Sequence, residues 1–203
     1  MKKRIGCLIM FPIFFASGSV VAKTECSSED GPYLSFGIGL SKTKTWKRDG
    51  SFPDTRFRVN PIARLAVGSQ FSTIRVEFEP SYARGKYVVG SDDGSVAVIS
   101  TLGNIYFDLP LEMQVKTYSI APYVGAGIGY SNIKVDQLAT PDQKWRSSQV
   151  ALAYQGIAGG RLALSEQVGI QIEYRFFETQ KINSAGNKIK AHSANVGLTY
   201  RFF

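Results

Sequence analysis

Ionisable side chains recur at intervals of two in this 203-residue chain. Arg75, Glu77 and Glu79 form one run and Glu173 and Arg175 another, with Arg64 and Arg201 in runs of the same kind. Residues two apart on an extended chain share a face, so these seven would meet across strands. Two kinds of chemistry suit them. One is a charge-lined path that conducts ions or small solutes. The other is a network of ion pairs filling a confined interior, because charges withdrawn from water must be paired. Catalysis has less to work with. The only histidine, His192, stands beside Ser193, and neighbours on a strand point to opposite faces. A base and a nucleophile on one face would need His-x-Ser, and position 194 is Ala. No Cys/His pair, phosphate loop or metal-ligand spacing occurs, so the chain reads as neither an enzyme nor a cofactor carrier.

The elements that must position these charges are strands. No helical period of convincing length follows residue 22. Eight segments alternate instead: 31–45, 58–70, 73–84, 95–109, 117–131, 148–164, 168–178 and 190–203. In the third, Ile74, Val76, Phe78 and Tyr82 oppose Arg75, Glu77, Glu79 and Ser81. In the fourth, Ile99, Thr101, Ile105 and Phe107 oppose Ser100, Asn104 and Asp108. The sixth sets Val150, Leu152 and Tyr154 against Gln149, Gln155 and Arg161. Pro61 is expected at the outer end of the second, since proline does not sit in a central ladder.

Number, length and connections give the architecture. The strand count is even, and most segments match the ~9–11 residues a tilted strand needs to cross a bilayer. Connections after strands two, four and six are short. Those after one, three, five and seven (46–57, 85–94, 132–147 and 179–189) are longer and polar, which is the pattern of periplasmic turns and external loops. Alternation alone fits a soluble lipocalin-like barrel equally well. The glycines separate the two, because Gly37, Gly39, Gly125, Gly127, Gly129 and Gly197 all fall on the polar face. A narrow lumen needs such gaps opposite Arg, Glu and Tyr; a solvated face does not. Tyr82, Phe107, Tyr130, Phe176 and Phe202 end the apolar faces and form interfacial girdles. The expected fold is therefore all-β, an eight-stranded antiparallel up-and-down transmembrane β-barrel. Its interior is just wide enough for side chains to fill, which favours the ion-pair plug over the path.

Composition agrees. The chain is 44% hydrophobic, but after the start no run is long and apolar enough for a transmembrane helix. At the start, Lys2, Lys3 and Arg4 precede an apolar stretch, and Val20 and Ala22 occupy the −3 and −1 positions of a small-residue cleavage site. Residues 1–22 read as a signal peptide, 23–30 as a periplasmic arm and 31–203 as the barrel. Without the three leader cations the formal charge of +8 becomes +5. These basic residues are dispersed, which gives no reason to expect nucleic acid. Cys26 then has no partner for a disulfide, and Glu25 before it excludes a lipid-attachment site.

The last segment, KAHSANVGLTYRFF, is the clearest of all. Val196, Leu198, Tyr200 and Phe202 make its apolar face, and with Phe203 they form the assembly signal through which a barrel-assembly machinery would recognise the chain. APYVGAGIGYSNIK at 121–134, LAYQGIAGG at 152–160, ANVGLTYRF at 194–202 and NIYFDLP at 104–110 resemble the small eight-stranded outer-membrane proteins of the opacity-porin and bacterial surface-antigen superfamily. The nearest flavour is the surface antigens of rickettsia-like intracellular bacteria. Such barrels usually end on the signal aromatic, whereas here register gives that role to Phe202 and makes Phe203 an extra. The resemblance implies a bacterial outer-membrane location, contact with outer-membrane lipid, and surface-exposed loops for adhesion to host molecules. It carries over no catalytic residue. Trp46, Tyr87 and Trp145 are the aromatic candidates for loop contacts. A small pore is the alternative function, and a lipid A-modifying barrel enzyme the weaker one.

Overall fold

The computed structural model describes residues 20–21, 31–43, 55–57, 59–89, 92–115, 118–140, 143–180 and 188–202. Eight long strands carry the fold: β1 Gly31–Thr43, β2 Val59–Phe71, β3 Ile74–Val89, β4 Asp92–Asp108, β5 Tyr118–Thr140, β6 Gln143–Ala163, β7 Val168–Thr179 and β8 Lys190–Arg201. Each pairs antiparallel with its neighbours in sequence. β8 also pairs with β1, from Ala191↔Thr43 to Arg201↔Tyr33, so the sheet closes on itself. Phe202 extends that seam by donating its N–H to Pro32 O at 3.0 Å. Closure leaves no edge with unpaired backbone groups, the condition for a sheet to exist in hydrocarbon. No α-helix occurs among the described residues.

The two faces are sorted opposite to a soluble protein. Ile38, Ile128, Val150 and Ile172 point outward and are each more than half exposed, while Arg75 and Glu79 inside are 1% exposed. Lipid replaces water as the solvent of the apolar face.

Two prolines test the ladder. Pro61 lies near the outer end of β2, opposite Leu40. Pro80 lies well inside β3, where the β2–β3 pairing steps from Arg64↔Ser81 to Val67↔Phe78, while on its other side Pro80 keeps register with Thr101. A proline has no N–H to give, and the interruption falls on one flank only.

The loop boundaries need correction. Residues 85–94 and 132–147 are expected as polar loops, but β3 and β4 stay in register to Val89↔Asp92, and β5 and β6 pair as far as Thr140↔Gln143 with a one-residue shift between Leu138 and Thr140. Both pairs project beyond the apolar band as hairpin ribbons, joined at their bases where β4 stays paired with β5 as far as Gly94↔Gln137. Their alternating, β-branched stretches (Tyr87–Val89, Val96–Val98, Ile133–Val135) suit a strand, and pairing satisfies backbone groups that a bare loop would leave to water. The expected loop 46–57 also contains a short strand, Thr55–Phe57, which pairs with Tyr87–Val89 of β3. At the opposite end Glu112–Val115 folds back on β5. Of residues 1–22 only Val20–Val21 is described, as a two-residue strand against Glu112 and Met113; the arm 23–30 and Cys26 lie outside the described residues.

The sorting has a measurable consequence. Val196 faces outward near the middle of β8. Val196→Arg should lower the unfolding free energy in lipid vesicles by about 2–4 kcal/mol, the cost of a cation at the bilayer midplane. Urea titrations followed by tryptophan fluorescence would show it; an unchanged midpoint would mean that the face is wrongly assigned.

Candidate functional site

The lumen is where the strands bring chemistry together. Arg64 on β2, Glu79 on β3, and Glu173 and Arg175 on β7 form a ring of alternating charge. Arg175 Nη1 donates to both oxygens of Glu79 at 2.8 Å, and its Nε donates to Glu173 Oε2 at 2.9 Å. Arg64 closes the ring, with Nη2 2.7 Å from Glu173 Oε2 and Nη1 3.3 Å from Glu79 Oε2. All four are buried. Two cations and two anions cancel, which is how such a group survives away from bulk water.

A second cluster lies toward the turn end. Arg75 reaches Asp108 through Nε at 3.0 Å and Nη2 at 2.9 Å, and Arg161 Nη2 takes the other oxygen of Asp108 at 3.1 Å. The rings of Tyr106 and Tyr123 lie 4.7 and 4.5 Å from the Arg75 guanidinium carbon, within cation–π range.

Tyrosines join the two clusters. Glu77 accepts from Tyr33 and Tyr106, both at 2.8 Å. Tyr123 donates to Glu173 at 2.8 Å, and Arg175 Nη2 donates to Tyr106 Oη at 3.1 Å. Gln155 ties in from β6, donating to Asn104 at 2.8 Å and Glu79 at 3.4 Å.

Glycine makes room for these large groups. A Cβ at Gly37 would sit 2.7 Å from Arg64 Nη2, and one at Gly125 would sit 2.7 Å from the Tyr106 ring. Neither position could carry a side chain without displacing a member of the network.

Of the seven charges singled out in the sequence, Arg64, Glu79, Glu173 and Arg175 meet directly. Arg75 is partnered by Asp108, Glu77 is held by tyrosine hydroxyls, and Arg201 is buried at the turn end of β8. Asp108 and Arg161 lay on the polar faces already recognised but outside the set of seven. Tyr106 shares its face with Asn104 and Asp108, so spacing alone could have placed it inside. Tyr33 was legible in the same way, two residues before Ser35.

Above the ring the lumen turns apolar. Val96, Ile133, Ala151 and Ile189 form a buried cluster with Val98 and Phe177 packed against it. Between cluster and ring lies a chamber offering about 70 Å³ to the centres of water-sized molecules, with Ser41, Asn60, Ser100 and Ser193 in its walls.

A family model for the outer membrane protein beta-barrel domain matches residues 12–202. The chain belongs to this family. The barrel is accordingly an outer-membrane protein of bacteria, and it shares its fold with a solved outer-membrane barrel. Neisserial surface protein A superposes with a TM-score of 0.60 at 19% identity, covering 85% of this chain and 97% of that one. Ail, the attachment invasion locus protein of Yersinia pestis, solved with the heparin analogue sucrose octasulfate, gives 0.46 at 19% identity over 85% and 99%. OprG of Pseudomonas aeruginosa gives 0.43 at 16% over 85% and 96%. No curated protein shows significant sequence similarity to the chain.

Within this barrel His192 and Ser193 do face opposite ways. Ser193 is buried in the lumen, whereas His192 sits on the outer wall, its Nδ1 2.5 Å from Tyr174 Oη and its ring 5.1 Å from Phe176. The outer wall also carries the expected aromatics: Tyr82, Phe107, Tyr130 and Phe202 are exposed and Phe176 partly so. Of the loop aromatics, Trp46 lies outside the described residues. Tyr87 and Trp145 have their backbones in the two ribbons, and their side chains lie outside the described part.

The ring should be costly to open. Glu79→Ala leaves both Arg175 and Arg64 short of a partner, and removing one member of a buried pair costs about 3–5 kcal/mol. Because Glu79 also anchors Gln155, a loss near 3 kcal/mol is expected, read as a fall in the temperature at which the folded band disappears on an unboiled gel. A loss under about 1 kcal/mol would place the ring in contact with bulk water.

Proposed function

We propose that the barrel is a surface protein whose role is to hold external ribbons and loops at the bacterial surface for contact with host or neighbouring molecules, and that its lumen is a structural plug. The observation that carries this reading is the filled interior: the Arg64–Glu79–Arg175–Glu173 ring spans the lumen, with the Val96–Ile133–Ala151–Ile189 cluster above it. A hydrated ion would meet paired charges at one level and apolar side chains at the next. Among the described residues the lumen offers no row of unpaired like charges to guide an ion through.

The ribbons supply the other half of the argument. β5 and β6 are the longest strands, Tyr118–Thr140 and Gln143–Ala163, and the excess length lies at the loop end. Chain invested beyond the bilayer has no part in anchoring; it serves presentation. Membership of an outer-membrane β-barrel family is compatible with this reading. The barrel-assembly machinery is the remaining partner, reading Val196, Leu198, Tyr200 and Phe202 along the outer face of β8.

Purified wild-type barrel in a planar bilayer should show only rare, small conductance events. Large, steady channels would overturn the plug and leave a small pore as the function. An epitope inserted at Asp142 should be labelled on intact cells, whereas one within residues 165–167 should be labelled only after permeabilisation. Labelling of the second site on intact cells would reverse the barrel and remove the basis for surface presentation.

A further inference from the structure

Among the described residues, the basic side chains on the outer wall lie at one end of the barrel. Lys42, Arg84, Lys86, Lys134 and Lys190 all occupy outward positions near the long-loop ends of β1, β3, β5 and β8. At the turn end the large outward side chains include Leu34, Phe71, Ile74, Phe107, Leu164 and Phe202, and among the side chains described there Glu166 is the only exposed charge. A soluble surface would scatter its lysines, and a bilayer-wide anchor would place them at both rims. A one-sided collar points to something that differs between the leaflets.

The collar is not uniform. Near β8 it is neutralised in part, because Glu178 binds Lys188 at 3.1 Å and Lys190 at 3.2 Å. On β3–β6 the arrangement is different. Register places Arg84 opposite Ala97, Ala97 opposite Lys134, and Lys134 opposite Ser148, so these four lie in one row across four strands. Neighbouring strands are ~4.8 Å apart, which sets Arg84 and Lys134 about 10 Å apart with only the Ala97 methyl between them. Both are exposed, and long basic side chains at that spacing converge readily on one anion.

One step closer to the membrane the next row reads Tyr82, Ile99, Asn132 and Val150. Asn132 accepts a hydrogen bond from Ser148 Oγ at 2.8 Å on its amide oxygen, which turns its amide nitrogen into the donor for anything bound outside. Arg84, Lys134 and Asn132 therefore present donors only. Asp136, the next acid along β5, is set by register opposite Arg146, an opposite charge. Below the donors, Tyr82, Ile99, Tyr130 and Val150 form an exposed apolar wall that continues into the band.

We propose that the row Arg84–Ala97–Lys134–Ser148, with Asn132 beneath it, is a binding site for a phosphorylated glycolipid of the outer leaflet, with phosphate between Arg84 and Lys134. Three features select this occupant. The cations match a phosphate, the Asn132–Ser148 pair suits sugar hydroxyls, and the wall below suits acyl chains. A water-soluble sulphated glycan would satisfy the first two and waste the third. The site depends on the long-loop end facing outward and is independent of whether the lumen is plugged.

The test uses the folded full-length barrel in phosphatidylcholine vesicles. It is titrated with lipid A carrying its phosphates, the same lipid stripped of phosphate, inorganic phosphate alone, and a sulphated oligosaccharide. Saturable binding of phosphorylated lipid A is expected, with the stripped lipid at least about tenfold weaker. Each basic residue near an anionic headgroup contributes roughly fivefold, so the double variant Arg84→Gln/Lys134→Gln should bind about thirtyfold more weakly. Lys188→Gln, on the neutralised arc, should change affinity less than about threefold. Both substituted positions are exposed, so the folded gel band should persist; if it does not, the milder pair Arg84→Lys/Lys134→Arg must retain binding. Equal affinity for stripped lipid, unchanged affinity in the double variant, equally tight binding of inorganic phosphate, or variant-dependent binding of the sulphated oligosaccharide without lipid A would each overturn the assignment.

Discussion

A charge inside a tube only as wide as its side chains must meet an opposite charge or leave, and the interior of this barrel is arranged around that constraint. Arg175 is the pivot. It binds Glu79 through one terminal nitrogen, Glu173 through Nε, and Tyr106 through the other nitrogen. Tyr106 in turn holds Glu77, and its ring shares Arg75 with Tyr123. With Tyr33, Arg64 and Gln155 included, contacts from seven of the eight strands lead back to one guanidinium. Replacing the set with well-packed apolar groups would make a tighter core in principle. It would also remove the alternation that distinguishes inside from outside and so fixes each strand's register.

Small residues are the counterpart of that crowding. Gly37 and Gly125 are flat places on the wall against which Arg64 and Tyr106 lie. Strand glycines ordinarily weaken a sheet; here a closed ladder on both sides of each strand compensates. Outer-wall residues contribute differently, through contact with lipid, so the barrel is stabilised from outside by its solvent and from inside by its ion pairs.

Period two was strong enough to place all eight strands, to assign the inward and outward faces, and to separate His192 from Ser193. Faces were legible because a strand has only two. Partners were not, because pairing depends on register between strands far apart in sequence: nothing local tells Arg75 that Asp108 rather than Glu77 will meet it. Tyr33 and Tyr106 were hidden for another reason. An aromatic in such a chain suggests the lipid side by composition, and only its parity with Ser35 or Asn104 places it inside. The ribbons were missed where polar composition at 85–94 and 132–147 outweighed alternation that continued through it. The collar was overlooked because each lysine taken alone resembles an ordinary rim residue.

The ribbons restrict how this protein can change. β3–β4 keep register to Val89↔Asp92 and β5–β6 to Leu138↔Lys144, so an unbulged single-residue insertion within either arm would exchange its two faces from that point on. Length variation within an arm therefore comes in steps of two, or as a single residue taken up in a bulge. The arms are thus free to change by substitution, whereas a change of length inside one must be absorbed by a bulge of the kind β5–β6 already carries between Leu138 and Thr140.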